Sequence, residues 1–407
     1  MKLKKSAIGL AASLIVTSML VLPSAADEPE YSNSVDWNKF RDRNVTLNVY
    51  NWGEYISVDD GENLFDTNRE FEELTGIRVN YTNFASNEEL YAKLKNGGSS
   101  YDIIIPSDYM IARMINEDML EKLDFSNIPN YSLIMDKFKG IDYDPTEEYS
   151  VPYMWGMVGI IYNTTLVDPE DDVYSWSILW NEKYANNILM FSNSRDAFAI
   201  ACKYLGYSMN TTDEQELRNA AAALTNQKLL VQAYVMDEIF DKMTGGEAAL
   251  APYYAGDAIT MIGDNPDLAY AVPREGTNLF VDAMCIPKGA KNKEAAEMYI
   301  NFMCETKTAL HNCEYIGYST PQSEVAEYLD PELAANPIAY PDEATLENTE
   351  AFIALPDDVT KLMDELWTSI LTANSSAPWT IPVFLIACLG ASIGINVARA
   401  RKKKRGN

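Results

Sequence analysis

The alternation of strand-like and helix-like segments in the first third of the chain constrains the fold most strongly. Runs rich in β-branched and aromatic residues alternate with amphipathic patterns, in the order 45–51, 64–74, 77–81, 88–95 and 101–105. Gly76 ends the first predicted helix, Asn87 caps the second, and a further helix begins near Ser107. Because strands joined through helices run parallel, this order predicts an α/β fold with a parallel sheet covered by helices.

Beyond Asp144 the sequence contains two long apolar runs of a different character. Residues 149–163 are β-prone and contain two glycines, and residues 278–287 form a second such run. Segments of this kind can pass from one lobe to another, whereas residues 212–244 have a helical pattern. Residues 27–378 therefore fit either one large domain or two domains of ordinary size.

The two ends of the chain predict export and membrane anchoring. Residues 1–26 combine three lysines, an apolar run and small residues, which indicates a cleavable secretory signal; an uncleaved anchor is the alternative. Residues 379–398 carry no charge and are long enough to span a bilayer, so the basic tail 399–407 would stay in the cytoplasm. Residues 27–44 and 373–378 are then predicted to be an N-terminal tether and a short linker.

Charge and composition argue against several functions. All 60 acidic residues lie within 27–378, beside only 23 basic residues, and this sign argues against nucleic-acid binding. Such a field attracts cations, although many secreted proteins are acidic only for solubility. His311, the one histidine, leaves no His-rich metal site and argues against Ser-His or Cys-His catalysis, so neither metal nor cofactor is predicted. Five scattered cysteines give no disulfide framework. A single disulfide between Cys304 and Cys313 is an alternative that the sequence neither supports nor excludes.

Aromatic residues stand beside carboxylates or hydroxyls where several predicted strands end. These groups are Trp52 with Glu54 and Tyr55, Ser107 with Asp108 and Tyr109, Tyr253 and Tyr254 with Asp257, and Phe280 with Asp282. Ligands of open α/β sheets bind outside the carboxyl ends of the strands, so these residues would meet in one site. Ordinary packing explains any single aromatic residue, but four such ends favour an organic cation, which aromatic faces and carboxylates both attract.

Several long segments resemble the spermidine/putrescine-binding proteins of bacterial ABC importers, which belong to the two-lobed solute-binding superfamily. They are YNWGEY at 50–55, NEELYAKLKNGGSSYDIIIPSDY at 87–109, VPYMWGMVGIIYN at 151–163, SWSILWNEKY at 175–184, KYLGYSMNTTD at 203–213, IPKGAKNKEAAEMYINFM at 286–303 and EYIGYSTP at 314–321. The resemblance implies a periplasmic-binding-protein type II-like fold, in which two α/β lobes close on a polyamine. Lobe 1 would comprise 45–156 and 283–325, and lobe 2 would comprise 157–282 and 326–372.

The resemblance also implies a set of ligand-binding residues. The set is Trp52, Tyr55, Ser107, Tyr109, Asn193, Asp196, Tyr254, Phe280, Asp282 and Tyr318. Asn193 and Asp196 stand where the family usually has two carboxylates three residues apart, so one charge is lost. Two tryptophans of the family are replaced, at Tyr254 and Phe280, and Gly53 stands where the family often has threonine. These departures leave the choice of polyamine open.

The predicted function is therefore capture and delivery of a polyamine outside the cytoplasm. Asp282 would be the main anchor for an ammonium group, and the partners would be an ABC permease and its ATPase. The chain would be held at the outer face of the membrane by residues 379–398. The alternatives are the same fold binding another organic amine, or a membrane-anchored polyamine sensor. An enzyme is not favoured, because no nucleophile motif accompanies the single histidine.

Overall fold

The computed structural model describes residues 28–61, 64–97 and 100–372. Its strands are β1 Thr46–Trp52, β2 Arg78–Phe84, β3 Ile103–Ile104, β4 Ser150–Asn163, β5 Ile188–Phe191, β6 Val231–Val235, β7 Leu250–Tyr254, β8 Leu268–Ala271, β9 Thr277–Cys285 and β10 Thr349–Glu350. Its α-helices are α1 Thr67–Thr75, α2 Asn87–Lys95, α3 Asp108–Asn116, α4 Ser194–Tyr204, α5 Glu214–Gln227, α6 Ile239–Thr244, α7 Ala255–Asp264, α8 Lys293–Met303, α9 Thr306–Ile316, α10 Pro331–Ala334, α11 Glu343–Glu347 and α12 Asp357–Thr372. The predicted α/β class is confirmed.

One sheet runs through the protein in the order β2-β1-β3-β9-β4-β7-β5-β6, with β10 beside β9 and β8 beside β4. β1 pairs in parallel with β2 and β3, as the alternating pattern predicts, and β5 pairs in parallel with β6 and β7. Between these two parallel groups lie β4 and β9, which are antiparallel to each other. They have 14 and 9 residues and connect the two halves of the sheet.

Capping residues explain where the first helices begin and end. The Asp66 side chain accepts a hydrogen bond from the Arg69 backbone N–H at the start of α1, and Gly76, at φ 74°, ends that helix. Ser86 caps α2, so the prediction that Asn87 does so is wrong. Asn87 is the first residue of α2 and is buried. Because its side chain does not cap the helix, its amide can organise the neighbouring loop.

Buried apolar side chains form two large cores, and β4 contributes residues to both of them. The first core includes Leu47, Val49, Ile103, Ile104, Tyr299 and Phe302. The second core includes Trp176, Phe191, Phe198, Leu224 and Trp367. Along β4, Trp155 belongs to the first core and Val158 to the second, so the chain passes between the cores within a few residues. The buried run predicted at 149–163 thus has the length that two adjoining cores require.

The segment before β1 packs on the first core. Trp37 and Phe40 are buried in that core, and the Trp37 indole donates a hydrogen bond to the Ser32 carbonyl over 3.0 Å. Within the stretch 27–44 that the sequence predicts as a tether, burial of these two aromatic rings thus stabilises the chain against the core.

The structure tests the possible disulfide, whereas the predicted membrane segments lie outside the residues that it describes. Cys202, Cys285, Cys304 and Cys313 are buried free thiols, so the Cys304–Cys313 bridge is not formed. Within 28–61, 64–97 and 100–372, none of the helices has both the length and the apolar character needed to cross a membrane. The predicted signal, linker, membrane anchor and basic tail, at 1–26, 373–378, 379–398 and 399–407, lie outside the described residues.

Candidate functional site

A cavity enclosing about 620 Å³, part of it open to solvent, lies between side chains of the two cores. The residues predicted for the site all line it: Trp52, Tyr55, Ser107, Tyr109, Asn193, Asp196, Tyr254, Phe280, Asp282 and Tyr318. Trp52 and Tyr254 are the last residues of β1 and β7, as the strand-end argument expects. Phe280 and Asp282 instead lie within β9, whose buried apolar residues belong to the first core.

Asp282 is a buried carboxylate with one oxygen unused by the protein. The Tyr55 hydroxyl donates to Asp282 Oδ2 over 2.7 Å, whereas no side chain or backbone group of the described residues hydrogen-bonds Oδ1. The residue is only 5% exposed, and this burial raises its pKa to about 6, against the opposing effect of the Ser107 and Tyr55 hydroxyls. A buried oxygen left without a partner costs stability, so Oδ1 fits an acceptor held for a ligand.

Asp196 forms a second buried carboxylate, beside Asn193. The Asn193 side-chain amide donates to Asp196 Oδ2 over 2.7 Å, and the Tyr254 hydroxyl donates to the same oxygen over 2.8 Å. Burial raises the pKa of Asp196 to about 7, although the Tyr254 hydrogen bond opposes this. Asn193 also caps α4, so at the position of the missing acid this chain has a neutral donor that orients Asp196.

Aromatic rings connect these two carboxylates. Tyr55 lies edge-on to Tyr318, with ring centroids 5.0 Å apart; Tyr318 meets Phe280 at 6.0 Å, and Phe280 meets Tyr254 at 5.4 Å. A Cβ on Gly256, in α7, would overlap the Tyr318 ring, so only glycine admits this approach of the two halves. Such a row of rings offers apolar surface and π faces to a cation with methylene groups.

Asn87 holds the hydroxyl groups on one wall of the cavity. Its side-chain nitrogen donates to Ser107 Oγ and to the Tyr109 hydroxyl oxygen, each over 3.1 Å. Its side-chain oxygen accepts from the Ser107 backbone N–H over 3.1 Å, and the Tyr109 hydroxyl donates to Glu88 Oε1 over 2.9 Å. These bonds fix the two hydroxyls before any ligand arrives.

Trp52 adds a second polar atom without a partner. Its ring packs on Phe84, with centroids 4.5 Å apart. Its indole Nε1 is buried, and nothing in the described part of the chain accepts a hydrogen bond from it. Together with Asp282 Oδ1, it makes two lining side chains with unused hydrogen-bonding capacity.

Further carboxylates stand at the more exposed side of the cavity. The Tyr318 hydroxyl donates to Asp257 Oδ2 over 3.0 Å. Burial raises the pKa of Asp257 to about 8, and the nearby charges of Asp237 and Glu54 add to the rise. Glu54 is exposed and has the left-handed backbone conformation, at φ 46°, which is uncommon for a residue other than glycine. We call Glu54, Asp237 and Asp257 the mouth group, and Asp196 and Asp282 the inner pair.

The cavity also has lining residues outside the set that the family resemblance implies. Tyr253 and Asp257 were expected from the strand-end argument, and the others are Gly53, Asn87, Met236, Asp237, Asn278 and Phe352. Asp237 could have been found by the strand-end argument, because it follows β6. The helical pattern predicted over 212–244 concealed that strand, and the prediction is wrong at Val231–Val235. Phe352 carries no motif of its own and reaches the site through the path of the chain after β10.

Comparisons with known proteins agree with this geometry. Residues 68–341 match the family model described as bacterial extracellular solute-binding protein. The spermidine/putrescine-binding periplasmic protein of Escherichia coli K12 is 36% identical over 310 residues, which cover 76% of this chain and 87% of that protein. The putrescine-binding periplasmic protein SpuD of Pseudomonas aeruginosa is 28% identical and covers 80% of this chain, with 92% of its own length matched.

Solved structures show the same relationship. A putative spermidine/putrescine ABC transporter protein from Listeria monocytogenes is 36% identical, with a TM-score of 0.77 over 81% of this chain and 99% of that one. The substrate-binding protein PotD of Streptococcus pneumoniae is 38% identical, with a TM-score of 0.67 over 80% of this chain and 98% of its own. The chain therefore belongs to the bacterial extracellular solute-binding protein family, among its spermidine/putrescine-binding members.

Proposed function

We propose that this protein captures a polyamine, putrescine or spermidine, in the cavity between its two cores. The observation that carries the proposal is Asp282, a buried carboxylate with an unpartnered oxygen in a cavity lined by aromatic rings. A protonated amine supplies the hydrogen bond and the charge that this oxygen lacks. The names of the relatives, which include spermidine/putrescine-binding and putrescine-binding periplasmic proteins, support this chemistry.

The charge of the lining residues favours a cation over other ligands. Four of the residues around the cavity are aspartates, and none of the described lining residues is lysine or arginine. An anionic or neutral ligand would leave these carboxylates uncompensated, at a cost that burial increases. The rings between Tyr55 and Tyr254 suit the methylene groups that join the amines of a polyamine.

The ten lining residues named from the family resemblance are proposed as the ligand contacts. Asp282 is the main anchor, and Asp196 is the second buried carboxylate. Asn193 orients Asp196 rather than contributing charge. The protein binds without catalysing a reaction, and the family, which consists of solute-binding proteins, is consistent with this role.

Two lobes are proposed to close on the ligand, with boundaries that differ slightly from the sequence-based division. Residues 45–156 and 283–325 are assigned to lobe 1 and most of 157–282 to lobe 2, with Phe280 and Val281, near the end of that range, already in the first core. For 326–372 we propose a later boundary, because Leu329 is buried in the first core and Tyr340 packs against it. The return to lobe 2 would then follow β10, and α12 would complete that lobe.

The loaded protein is proposed to deliver its polyamine to an ABC permease and its ATPase on the outer side of the membrane. The names of the relatives, which describe periplasmic binding proteins and ABC transporter proteins, support this location and these partners. Residues 379–398, apolar and followed by a basic tail, are proposed as the membrane anchor.

Isothermal titration calorimetry of the purified protein tests the proposed function. Putrescine, spermidine, spermine and a neutral diol would be titrated at two salt concentrations. One amine should bind saturably with a stoichiometry near one, and that binding should survive the higher salt, because a buried pair is screened weakly. Weak binding of all amines that salt erases would reject the proposal, since it would show attraction to the acidic surface alone.

A further inference from the structure

We propose that Asp237 determines specificity by holding a second ammonium group at the mouth of the cavity, so that the site prefers amines charged at both ends. This inference rests on the proposed function and deepens it. Asp237 lies on the loop between β6 and α6, outside the set of residues that the family resemblance implies.

The first observation is the contact of Asp237 with the turn after β1. A Cβ built on Gly53 would overlap Asp237 Oδ2, so the carboxylate fills the space that any other residue at position 53 would occupy. The φ of Gly53 is not positive, so what a side chain at this position would change is the place of the Asp237 carboxylate, which would have to move. The absence of a side chain at Gly53 and the position of the Asp237 carboxylate thus depend on each other, and their contact joins the two halves of the site.

The second observation is that this carboxylate has no partner. Among the described residues, no group hydrogen-bonds or forms an ion pair with the Asp237 carboxylate, whose backbone carbonyl alone accepts a bond, from the Phe240 N–H, and the Glu54 carboxylate beside it is likewise without a partner. Lys242, a cation on α6, pairs with Glu247 instead, over 3.1 Å. Partial desolvation and the charges of Glu54 and Glu238 raise the pKa of Asp237. Within the mouth group, the Glu54 and Asp237 carboxylates therefore have no compensating cation among the described residues, and a ligand cation can supply it.

The third observation concerns how the charges are grouped. The negative charge of Asp282 helps to raise the pKa values of Asp196 and Asp257. The charges that raise the pKa of Asp237 are instead those of Glu54 and Glu238. Asp257 is thus the link between the inner pair and the mouth group. One ammonium held by the inner pair leaves the mouth uncompensated, whereas a ligand with a second ammonium satisfies both the inner pair and the mouth group. A monoamine would gain at the inner pair alone.

The experiment compares putrescine with 1-aminobutane, which has the same carbon chain and one ammonium group. Asp237→Asn would be prepared in the full chain beside Asp241→Asn, an exposed residue on α6 that does not line the cavity. Affinities would be measured by calorimetry, with displacement for the weaker ligand. Asp237→Asn should weaken putrescine by about tenfold and change 1-aminobutane by less than about twofold, because one charge-assisted hydrogen bond is lost. Asp241→Asn should leave both affinities unchanged.

A second variant tests the contact itself. Gly53→Ala should push the Asp237 carboxylate aside and weaken putrescine selectively, and in the double variant with Asp237→Asn the two losses should not add. Equal weakening of both amines by Asp237→Asn, or no weakening, would overturn the inference while leaving amine binding in place. Absence of any amine binding by the unaltered protein would instead reject the proposed function, and this inference with it.

Discussion

The inner pair and the mouth group carry the same functional group in two different settings. Asp196 and Asp282 are each 5% exposed and accept hydrogen bonds from tyrosine hydroxyls. In the mouth group, Asp257 accepts from the Tyr318 hydroxyl, but Asp237 and Glu54 are exposed and their carboxylates have no hydrogen-bond partners among the described residues. A buried, oriented carboxylate can give strong binding, because its pairing with a cation is screened little by water. An exposed carboxylate contributes less affinity, but it can distinguish ligands that place a charged group beside it from ligands that do not.

The largest effect expected from this comparison is on Asp282. Asp282→Asn removes the buried charge while keeping the shape, so polyamine affinity should fall by about 100-fold or more. Calorimetry would measure the change, with Asp241→Asn as the control for an exposed aspartate. If Asp282→Asn binds as tightly as the unaltered protein, Asp282 is not the anchor and the distinction between the inner pair and the mouth group fails.

The pH dependence of binding should follow the raised pKa values. Asp282, Asp196 and Asp257 have pKa values of about 6, 7 and 8 in the empty protein. A bound ammonium favours the ionised carboxylates and lowers these pKa values, so binding releases protons and weakens as pH falls. Affinity for putrescine should drop by at least about 100-fold between pH 8 and pH 5.5, the loss expected if Asp282 and Asp196 are both ionised in the complex. Calorimetry in two buffers of different ionisation enthalpy would count the protons, and a flat profile would contradict the coupling.

The stability of the empty protein should show the cost of the inner pair. The pKa of Asp282 is raised from 3.8 to about 6, so the folded state binds more protons than the unfolded state between those values. Stability from this group is therefore lost as pH rises from about 4 to 6, and it stays lost above 6. Asp282→Asn should raise the free energy of unfolding at pH 8 by about 1–3 kcal/mol, with a smaller gain at pH 4.

Urea unfolding of the empty protein at both pH values would measure this gain. Asp237→Asn provides the matched comparison, because an exposed residue should change the free energy of unfolding by less than about 0.5 kcal/mol. A destabilised Asp282→Asn at pH 8 would show that the carboxylate contributes to folding through its Tyr55 hydrogen bond more than burial opposes it.

The smallest expected effect concerns the orientation of Asp196. Tyr254→Phe keeps the ring against Phe280 but removes the hydroxyl that donates to Asp196 Oδ2. Loss of one such hydrogen bond should weaken polyamine binding by roughly 3- to 10-fold and raise the pKa of Asp196 further. The affinity loss should grow at lower pH, which calorimetry at pH 8 and pH 6 would reveal. An equal loss at both pH values would assign the Tyr254 hydroxyl a direct contact with ligand.

Much of the inner site was accessible from sequence. Trp52 and Tyr254 stand at the ends of strands whose pattern is clear, and the family resemblance points to Asp282 and Asp196. The sequence shows Asn193 as a lost charge, but only the tertiary structure shows that its amide donates to Asp196, because a helix cap and a ligand contact look alike in a sequence. The packing of Trp37 and Phe40 on the first core was likewise hidden, since they precede any regular strand or helix.

By itself the sequence determined the α/β class, the parallel pairing of the first strands and the acidic, aromatic chemistry of the site. These features depend on local periodicity and on residue type, which neighbouring residues in the chain specify. The tertiary structure alone decided that Asp237 fills the space beside Gly53 and that Asp282 Oδ1 is left without a partner. Both depend on side chains about 180 or more positions apart in the chain meeting in space, and no local pattern encodes such a meeting.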